Sequence, residues 1–486
     1  MNRMDAPFAA ADAEAERLRL ERTSAAHRWT DGKGRPWDLV IPPTVYPPRE
    51  DTDLLADALA ALGAGGGRTV FEVGVGSGAL LLQMAADGWN VTGCDVHPYA
   101  VAASRHALAH HGHTSKVLEA DIRDVDTSFL GPADLIIWNT PYLPPVSAQD
   151  AHLGPLEEAA LSDPVPGGSA LALLAVLADL PARPQRRAMV VLGAEAYSEL
   201  RSEATKRGWS CTVEGRRVFE DGEGLILAGL ERAWPTATHA VVASTGSTNA
   251  DLMENEGAVG DSLRAVHQTK GRGRRTASWA SNEGDLTASW IVHDGQGPIP
   301  AHGLVQAACA LAARDVLVDL ARMDVDDVLL KWPNDLLIEQ HVLGKVGGWL
   351  VESRQQGRNN RVVAGLGLNL TPGPSSVAGT PRGSLEGVDA SDLHSALTVR
   401  LCTRLNALRT KRGRASIVAE ASDAYRNSAS VLGLTDIEGN DLVPTGMDMQ
   451  GGLSVEGREE TIHDLDAVMW RAWPSPQSSN SASRSA

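Results

Sequence analysis

The chain has 486 residues, 43% hydrophobic and 22% charged, which is length for about three domains and the composition of a folded protein rather than a disordered one. Its 61 acidic against 44 basic residues leave a net charge of -17, which excludes a general basic grip on nucleic acid but allows a local basic patch. No apolar run reaches the ~18 residues needed to cross a bilayer, and Cys94, Cys211, Cys309 and Cys402 form no CxxC pair, which excludes a disulfide scaffold and a zinc site.

In chain order, the opening Met-Asn-Arg-Met-Asp-Ala-Pro lacks the apolar centre of a secretory leader, so a soluble cytoplasmic protein is expected. Residues 1–43 read as an N-terminal extension, with a solvated helix predicted over the acidic, alanine-rich stretch 9–22. From Arg68, short apolar runs alternate with helical segments. Segments 69–75, 90–96, 117–122, 134–138 and 188–192 read as buried strands, and 79–86, 100–110 and 170–180 as the helices between them. This alternation predicts a doubly wound α/β domain over 44–233, closed by antiparallel edge strands near 211–219 and 224–229. A second, α+β unit is expected over 240–430. Turn signals at Glu438-Gly-Asn, Gln450-Gly-Gly and Glu456-Gly predict a small, SH3-like β domain over 431–472, and the Ser/Pro-rich tail 473–486 reads as disordered.

The first chemical signal is Phe71-Glu-Val-Gly-Val-Gly-Ser-Gly78, where a strand turns into a helix and glycines let the backbone approach a ligand. The loop alone serves dinucleotides as well as S-adenosylmethionine. Asp95, ending the second strand, is placed to accept ribose hydroxyls. Asp121 ends the third strand, where an acid and the neighbouring amide of Ile122 can read an adenine edge. The fourth strand ends in Asn139-Thr-Pro-Tyr142. An amide or aryl-amine nitrogen is a poor nucleophile; the Asn139 oxygen and the carbonyl of residue 140 can hold its N–H groups and turn its lone pair toward a methyl group, while Tyr142 offers a stacking ring. His110-His-Gly-His113 reads as histidines at a helix end capped by Gly112, not as a metal cluster.

Over roughly 44–230 this arrangement resembles the release-factor glutamine methyltransferase family, and Tyr46-Pro-Pro-Arg-Glu-Asp-Thr52 is similar to that family's segment over the cofactor. The resemblance implies S-adenosylmethionine contacts at Thr52, Glu72, Gly74, Gly76, Asp95, Asp121 and Ile122, with Asn139, Pro141 and Tyr142 at the methyl acceptor, a translation release factor. The family motif is Asn-Pro-Pro-Tyr, and Thr140 stands where its first proline would be. Pro141 still keeps residue 140 out of the helical region, but rigidity is lost and a backbone N–H is gained.

Four segments of the second unit belong together: Ser244-Thr-Gly-Ser-Thr-Asn249, Gln268-Thr-Lys-Gly-Arg-Gly-Arg-Arg275, Leu330-Lys-Trp-Pro-Asn-Asp335 with Gly344-Lys-Val-Gly-Gly-Trp-Leu-Val-Glu352, and Val363-Ala-Gly-Leu-Gly-Leu-Asn-Leu370. The basic glycine loop, alone, is as good an RNA patch as a phosphate clamp; beside Lys331-Trp-Pro-Asn-Asp335, the clamp is the better reading. Only 7 of the 44 basic residues are lysines, and Lys270, Lys331 and Lys345 fall in these segments.

Together the segments resemble the biotin protein ligase family over about 240–471. The resemblance implies activation of biotin with ATP and Mg²⁺ to biotinyl-5′-adenylate, then transfer to a lysine of a carboxylase's biotin carboxyl carrier domain. It places Ser247, Thr248, Asn249 and Gln268 at biotin, Gly271, Arg272, Gly273 and Arg274 in a loop closing over the adenylate, and Lys345 at the carboxylate. Asn334, Trp332 and Asn369 fall on the adenylate side, and Lys331 near phosphate; no protein metal site is expected. The helix-turn-helix of some ligases is not seen, so neither sequence-specific DNA binding nor membrane association is expected. The whole reads as a bifunctional ligase and N-methyltransferase. The alternatives are a ligase with a non-catalytic methyltransferase-fold scaffold, and methylation of nucleic-acid adenine.

Overall fold

The apolar runs of the first half are strands buried on both faces. The computed structural model describes residues 17–18, 21–142, 168–219, 222, 224–274, 278–339, 343–373 and 381–471. They fall into two units, Met1–Arg232 and Ala233–Ala486. Most of the helix expected over 9–22 and the whole tail 473–486 lie outside the described residues.

The first unit is built on strands β3 (Thr69–Val73), β4 (Asn90–Asp95), β5 (Lys116–Glu119), β6 (Leu135–Asn139), β7 (Arg187–Gly193), β8 (Trp209–Val218) and β9 (Gly224–Arg232). Their order is β5-β4-β3-β6-β7-β9-β8, parallel through β7 and antiparallel at β9 and β8. Alternation explains why β6 has no polar face. Leu135 and Ile137 enter one hydrophobic layer, and Ile136 and Trp138 the layer on the other side. The helix Ala79–Ala86 starts at Gly78, whose φ of 82° is left-handed. A Cβ there would lie 2.8 Å from the Ser104 Cα, so a larger residue would separate this helix from its neighbour Pro98–His110.

The N-terminal extension is corrected by the structure. Strands β1 (Ala25–Thr30) and β2 (Pro36–Ile41) form an antiparallel hairpin. Trp29, Leu39 and Ile41 are buried with Leu55 and Leu59 of the helix Glu50–Ala61, and the Trp29 indole donates to Asp53 at 2.9 Å. Residues 25–41 are thus part of the α/β unit's core.

The second unit has a seven-stranded sheet of β10 (His239–Thr245), β11 (Ser262–Gln268), β12 (Leu286–Gly295), β13 (Val328–Lys331), β14 (Asp335–Glu339), β15 (Leu343–Gln356) and β16 (Asn359–Leu368). The order is β10-β11-β12-β16-β15-β14-β13, with only β10 and β11 parallel. Period-two alternation again decides the faces. Leu286, Ala288 and Trp290 of β12 join the core with the helices His302–Leu320, Ala390–Ala407 and Lys411–Leu432. Thr287 and Ser289 point the other way, where Ser289 meets Thr248 and Asn249.

Four short strands follow: β17 (Leu434–Asp436), β18 (Pro444–Met447), β19 (Leu453–Val455) and β20 (Val468–Trp470), paired as β17-β20 and β18-β19. Leu434, Met447, Leu453, Val468 and Trp470 belong to the same buried cluster as the sheet and its helices. The Trp332 indole also donates to the Gly451 carbonyl at 3.0 Å. The small β region therefore shares one core with the larger sheet.

Candidate active sites

Each unit holds a polar cavity where its sequence motifs converge. In the first unit a cavity of about 240 Å³ lies at the carboxyl ends of β3, β4 and β6. Thr52, Glu72, Gly74, Gly76, Asp95, Asp121, Ile122, Asn139 and Pro141 all line it. Gly74 and Gly76 have φ of 66° and 49°, the left-handed backbone a tight cradle demands.

Two acceptors in this cavity have no internal use. Among the described residues, nothing hydrogen-bonds the buried Oε2 of Glu72 or the buried Oδ1 of Asn139. Burial, reinforced by nearby Asp95, holds the Glu72 carboxyl well above its ordinary range. A ligand cation beside Glu72 would offset that cost, and a ligand N–H would satisfy Asn139. These orphaned atoms and the glycine cradle fit S-adenosylmethionine. Asp95 is more committed: it accepts from the Gly76 amide at 3.0 Å and the His97 amide at 2.8 Å, and burial raises its pKa against those bonds. Asp121 is held by the Arg123 guanidinium, which lowers its pKa. It caps the short turn Ile122–Asp124 and keeps remaining lone pairs for a ligand.

Tyr142 departs from expectation. Its ring packs against the core layer of Leu55 and Ile137, and the residue does not line the cavity. The chain has left the sheet by then, since β6 ends at Asn139. Thr140 is 3% exposed, and both its N–H and its hydroxyl donate to the Val191 carbonyl. His97 and its partner Thr44 also line the cavity and were not singled out by the motif reading. Buried His97 accepts the Tyr99 amide on Nδ1, which makes Nε2 the protonated nitrogen, 3.1 Å from the Thr44 carbonyl. That bond fastens the 44–48 segment over the cavity.

The second cavity, about 320 Å³, is lined by Ser247, Thr248, Asn249, Gln268, Arg272, Gly273, Arg274, Asn334 and Lys345. Ser247 caps the helix Thr248–Glu254. Gln268 gives its carbonyl oxygen to the Thr248 amide at 2.9 Å, so its NH₂ is the end left for a ligand acceptor. Asn249 is spent inside the protein: it donates to the Leu350 carbonyl and Glu352 and accepts from Ser289. Its role is to hold the cavity wall. Arg272 stands 3.5 Å from Glu352.

Lys345 is the centre of charge. Its Nζ lies 2.7 Å from Asp335 and 5.6 Å from the Trp279 ring centroid. Asp335 also faces Lys331 at 3.9 Å, and burial lowers the Lys331 pKa. Asn369 does not line the cavity; its amide donates to the Lys345 carbonyl at 3.0 Å and so fixes that strand position. Lys331 and Trp332 do not line it either. Trp332 follows Lys331 at the sheet's edge strand and is turned to Gly451, so it anchors the small β region instead. Gly271 does not line it either; its carbonyl accepts the Trp279 amide at 2.9 Å, and a Cβ there would meet the Trp279 carbonyl at 2.3 Å. Asp335, Ser289, Trp279 and Glu352 were missed as site residues; Asp335 and Glu352, inside quoted motifs, carried a sequence signal.

Residues 240–369 match the Biotin/lipoate A/B protein ligase family, and residues 70–152 match a Methyltransferase domain. The chain is 34% identical to the biotin–[acetyl-CoA-carboxylase] ligase of Mycobacterium tuberculosis, over 48% of this chain and 88% of that protein. This chain belongs to the biotin protein ligase family. Ahead of the ligase unit it carries a methyltransferase domain. There it is 36% identical to the release factor glutamine methyltransferase of Rhodospirillum rubrum, over 26% of this chain but only 38% of that relative. A solved biotin protein ligase from Aquifex aeolicus, in complex with biotin and ATP, aligns with 48% of this chain and 98% of its own at 20% identity and a TM-score of 0.39. Among the described residues no helix is long and apolar enough to cross a membrane.

Proposed function

We propose that the chain is a bifunctional enzyme acting in the cytoplasm. Its ligase unit activates biotin with ATP to biotinyl-5′-adenylate and passes the biotinyl group to a lysine of a carboxylase carrier domain. The observation that carries this reading is the Lys345–Asp335 pair on the wall of a cavity bordered by Arg272 and Arg274. An ammonium there neutralises the biotin carboxylate and the phosphate it attacks, and the guanidinium groups balance the departing pyrophosphate. The small β region, which we read as SH3-like, adds Leu465 and Asp466 to the cavity wall. In this reading Mg²⁺ arrives on the triphosphate oxygens. Biotin-dependent exchange of labelled pyrophosphate into ATP is the expected result. Absence of exchange with biotin and Mg²⁺ present rejects the reading.

The methyltransferase unit, in the same proposal, methylates the glutamine amide of a release-factor Gly-Gly-Gln loop. The supporting observation is the buried, unpartnered Asn139 Oδ1 in the cavity that Glu72 shares. S-adenosylmethionine, held by Thr52, Glu72, Gly74, Gly76, Asp95, Asp121 and Ile122, supplies an electrophilic methyl group. Asn139 accepts the substrate N–H and turns the nitrogen lone pair toward it, and no strong base is required. Incubating labelled S-adenosylmethionine, the protein and a cell extract should label a release factor. Labelled DNA instead would replace glutamine by adenine, and no label at all would leave a scaffold.

A further inference from the structure

We propose that Thr140 is a positioning residue for methyl transfer, holding the substrate-facing end of β6 with two hydrogen bonds where the related motif uses a proline ring. The inference rests on the methyltransferase reading above. β6 and β7 run parallel, with Asn139 opposite Val191. One residue beyond the pairing, the Val191 carbonyl accepts the Thr140 amide at 3.2 Å and the Thr140 hydroxyl at 2.7 Å. A proline at 140 could donate neither bond.

The consequence is geometric. The amide bond restrains the backbone on the N-terminal side of residue 140, and Pro141 restrains it on the C-terminal side. Threonine is β-branched and stiff at χ1, and this one is 3% exposed, so its hydroxyl has little freedom to leave the carbonyl. The peptide unit between Thr140 and Pro141 is therefore held from both ends. Directly before it stands Asn139, whose Oδ1 is buried without a partner among the described residues. A fixed residue 140 keeps that acceptor pointed where a substrate N–H must meet it. The N–H gained by losing a proline is thus satisfied, and the lost rigidity is replaced through the neighbouring strand.

The test compares Thr140→Val, which keeps shape and amide but removes the hydroxyl, with Thr140→Ser, which restores a donor, and Thr140→Pro. With a Gly-Gly-Gln release factor as acceptor, Thr140→Val should lower kcat about five- to tenfold, leaving KM for S-adenosylmethionine within about twofold. Thr140→Ser should stay within about threefold of the parent chain, and Thr140→Pro should recover more activity than Thr140→Val. An unchanged kcat, or a loss seen only in cofactor KM or melting temperature, overturns the proposal. Residue-resolved amide hydrogen exchange, which needs no activity, reads the tether itself. Exchange at Thr140 should quicken about five- to tenfold in Thr140→Val and stay at the parent rate in Thr140→Ser. Equal exchange in the parent chain, Thr140→Val and Thr140→Ser overturns the tether even if the parent chain methylates nothing. Absence of methyl transfer with the expected exchange pattern rejects the activity reading alone.

Discussion

The two cavities treat their charged groups differently. In the methyltransferase unit, Glu72 Oε2 and Asn139 Oδ1 are buried acceptors without an internal donor among the described residues. In the ligase unit, Lys345 is neutralised by Asp335, Arg272 faces Glu352, and Asn249 is bonded on both ends of its amide. The first site bears a desolvation cost that a ligand relieves. The second sets Lys345 and Arg272 each against a carboxylate that a polyanion must displace. A small, partly cationic ligand suits the former; a carboxylate with a triphosphate suits the latter.

The sharpest way to break this comparison is Lys345→Ala. It removes the cation that Asp335 holds at hydrogen-bond distance, and biotinyl-adenylate formation should fall about 10²–10³-fold while methyl transfer is untouched. Pyrophosphate exchange measures the first and methyl incorporation the second; a fall of less than tenfold would place the charge balance elsewhere. Next in size, Asn139→Ala should cost methyl transfer roughly a hundredfold with S-adenosylmethionine affinity nearly unchanged. Asp95→Ala should show the reverse order, cofactor binding failing first in calorimetric titration. Ligation should survive both substitutions.

A smaller effect is expected from Arg274→Gly, which opens the loop beside the second cavity while leaving Lys345 in place. Adenylate should escape and label lysines beyond the carrier domain, measured as the ratio of off-target to carrier biotin. Labelling confined to the carrier domain would deny the loop its function as a cover. The mildest prediction concerns His394, buried against Trp290 with ring centroids 5.1 Å apart. Burial first, then the neighbouring His239 and Arg264, push its pKa down to about 4. The unfolded chain takes up this proton near pH 6.5 and the folded chain does not. Stability is therefore full above about pH 6.5 and lost progressively toward pH 4, by up to about 3 kcal/mol. Unfolding midpoints across that range should flatten in His394→Gln.

Legibility in the sequence followed the range of the interactions. The parallel strands were readable because burial on both faces writes an unbroken apolar run, as in Leu135–Asn139. The β1–β2 hairpin was not, because its strands, Ala-Ala-His-Arg-Trp-Thr and Pro-Trp-Asp-Leu-Val-Ile, bury only Trp29, Leu39 and Ile41, and their partners on Glu50–Ala61 come later in the chain. Site residues in glycine-rich motifs were readable because the motif itself makes the turn. Ser289 and His97 were hidden: each acts through contacts 40 or more residues away that no local pattern records. Trp332 was misjudged for a related reason. A motif tells that residues are neighbours in the chain, not which side of an edge strand each one faces.

The bond from Trp332 to Gly451, together with Leu465 and Asp466 in the cavity wall, also sets a schedule for synthesis. On the ribosome, the methyltransferase unit has all its strands once β9 has emerged. The ligase cavity waits for Leu465 and Asp466, near the end of the described chain. At roughly 5–20 residues per second, the first unit has a lead on the order of 10–50 s. Once residue 345 has been added, the basic loop and Lys345 are already made, but the wall that completes their pocket is not. A nascent chain stalled between Gly433 and Leu465 should therefore bind S-adenosylmethionine and yet be unable to keep an adenylate, which gives the order of emergence a readable biochemical signature.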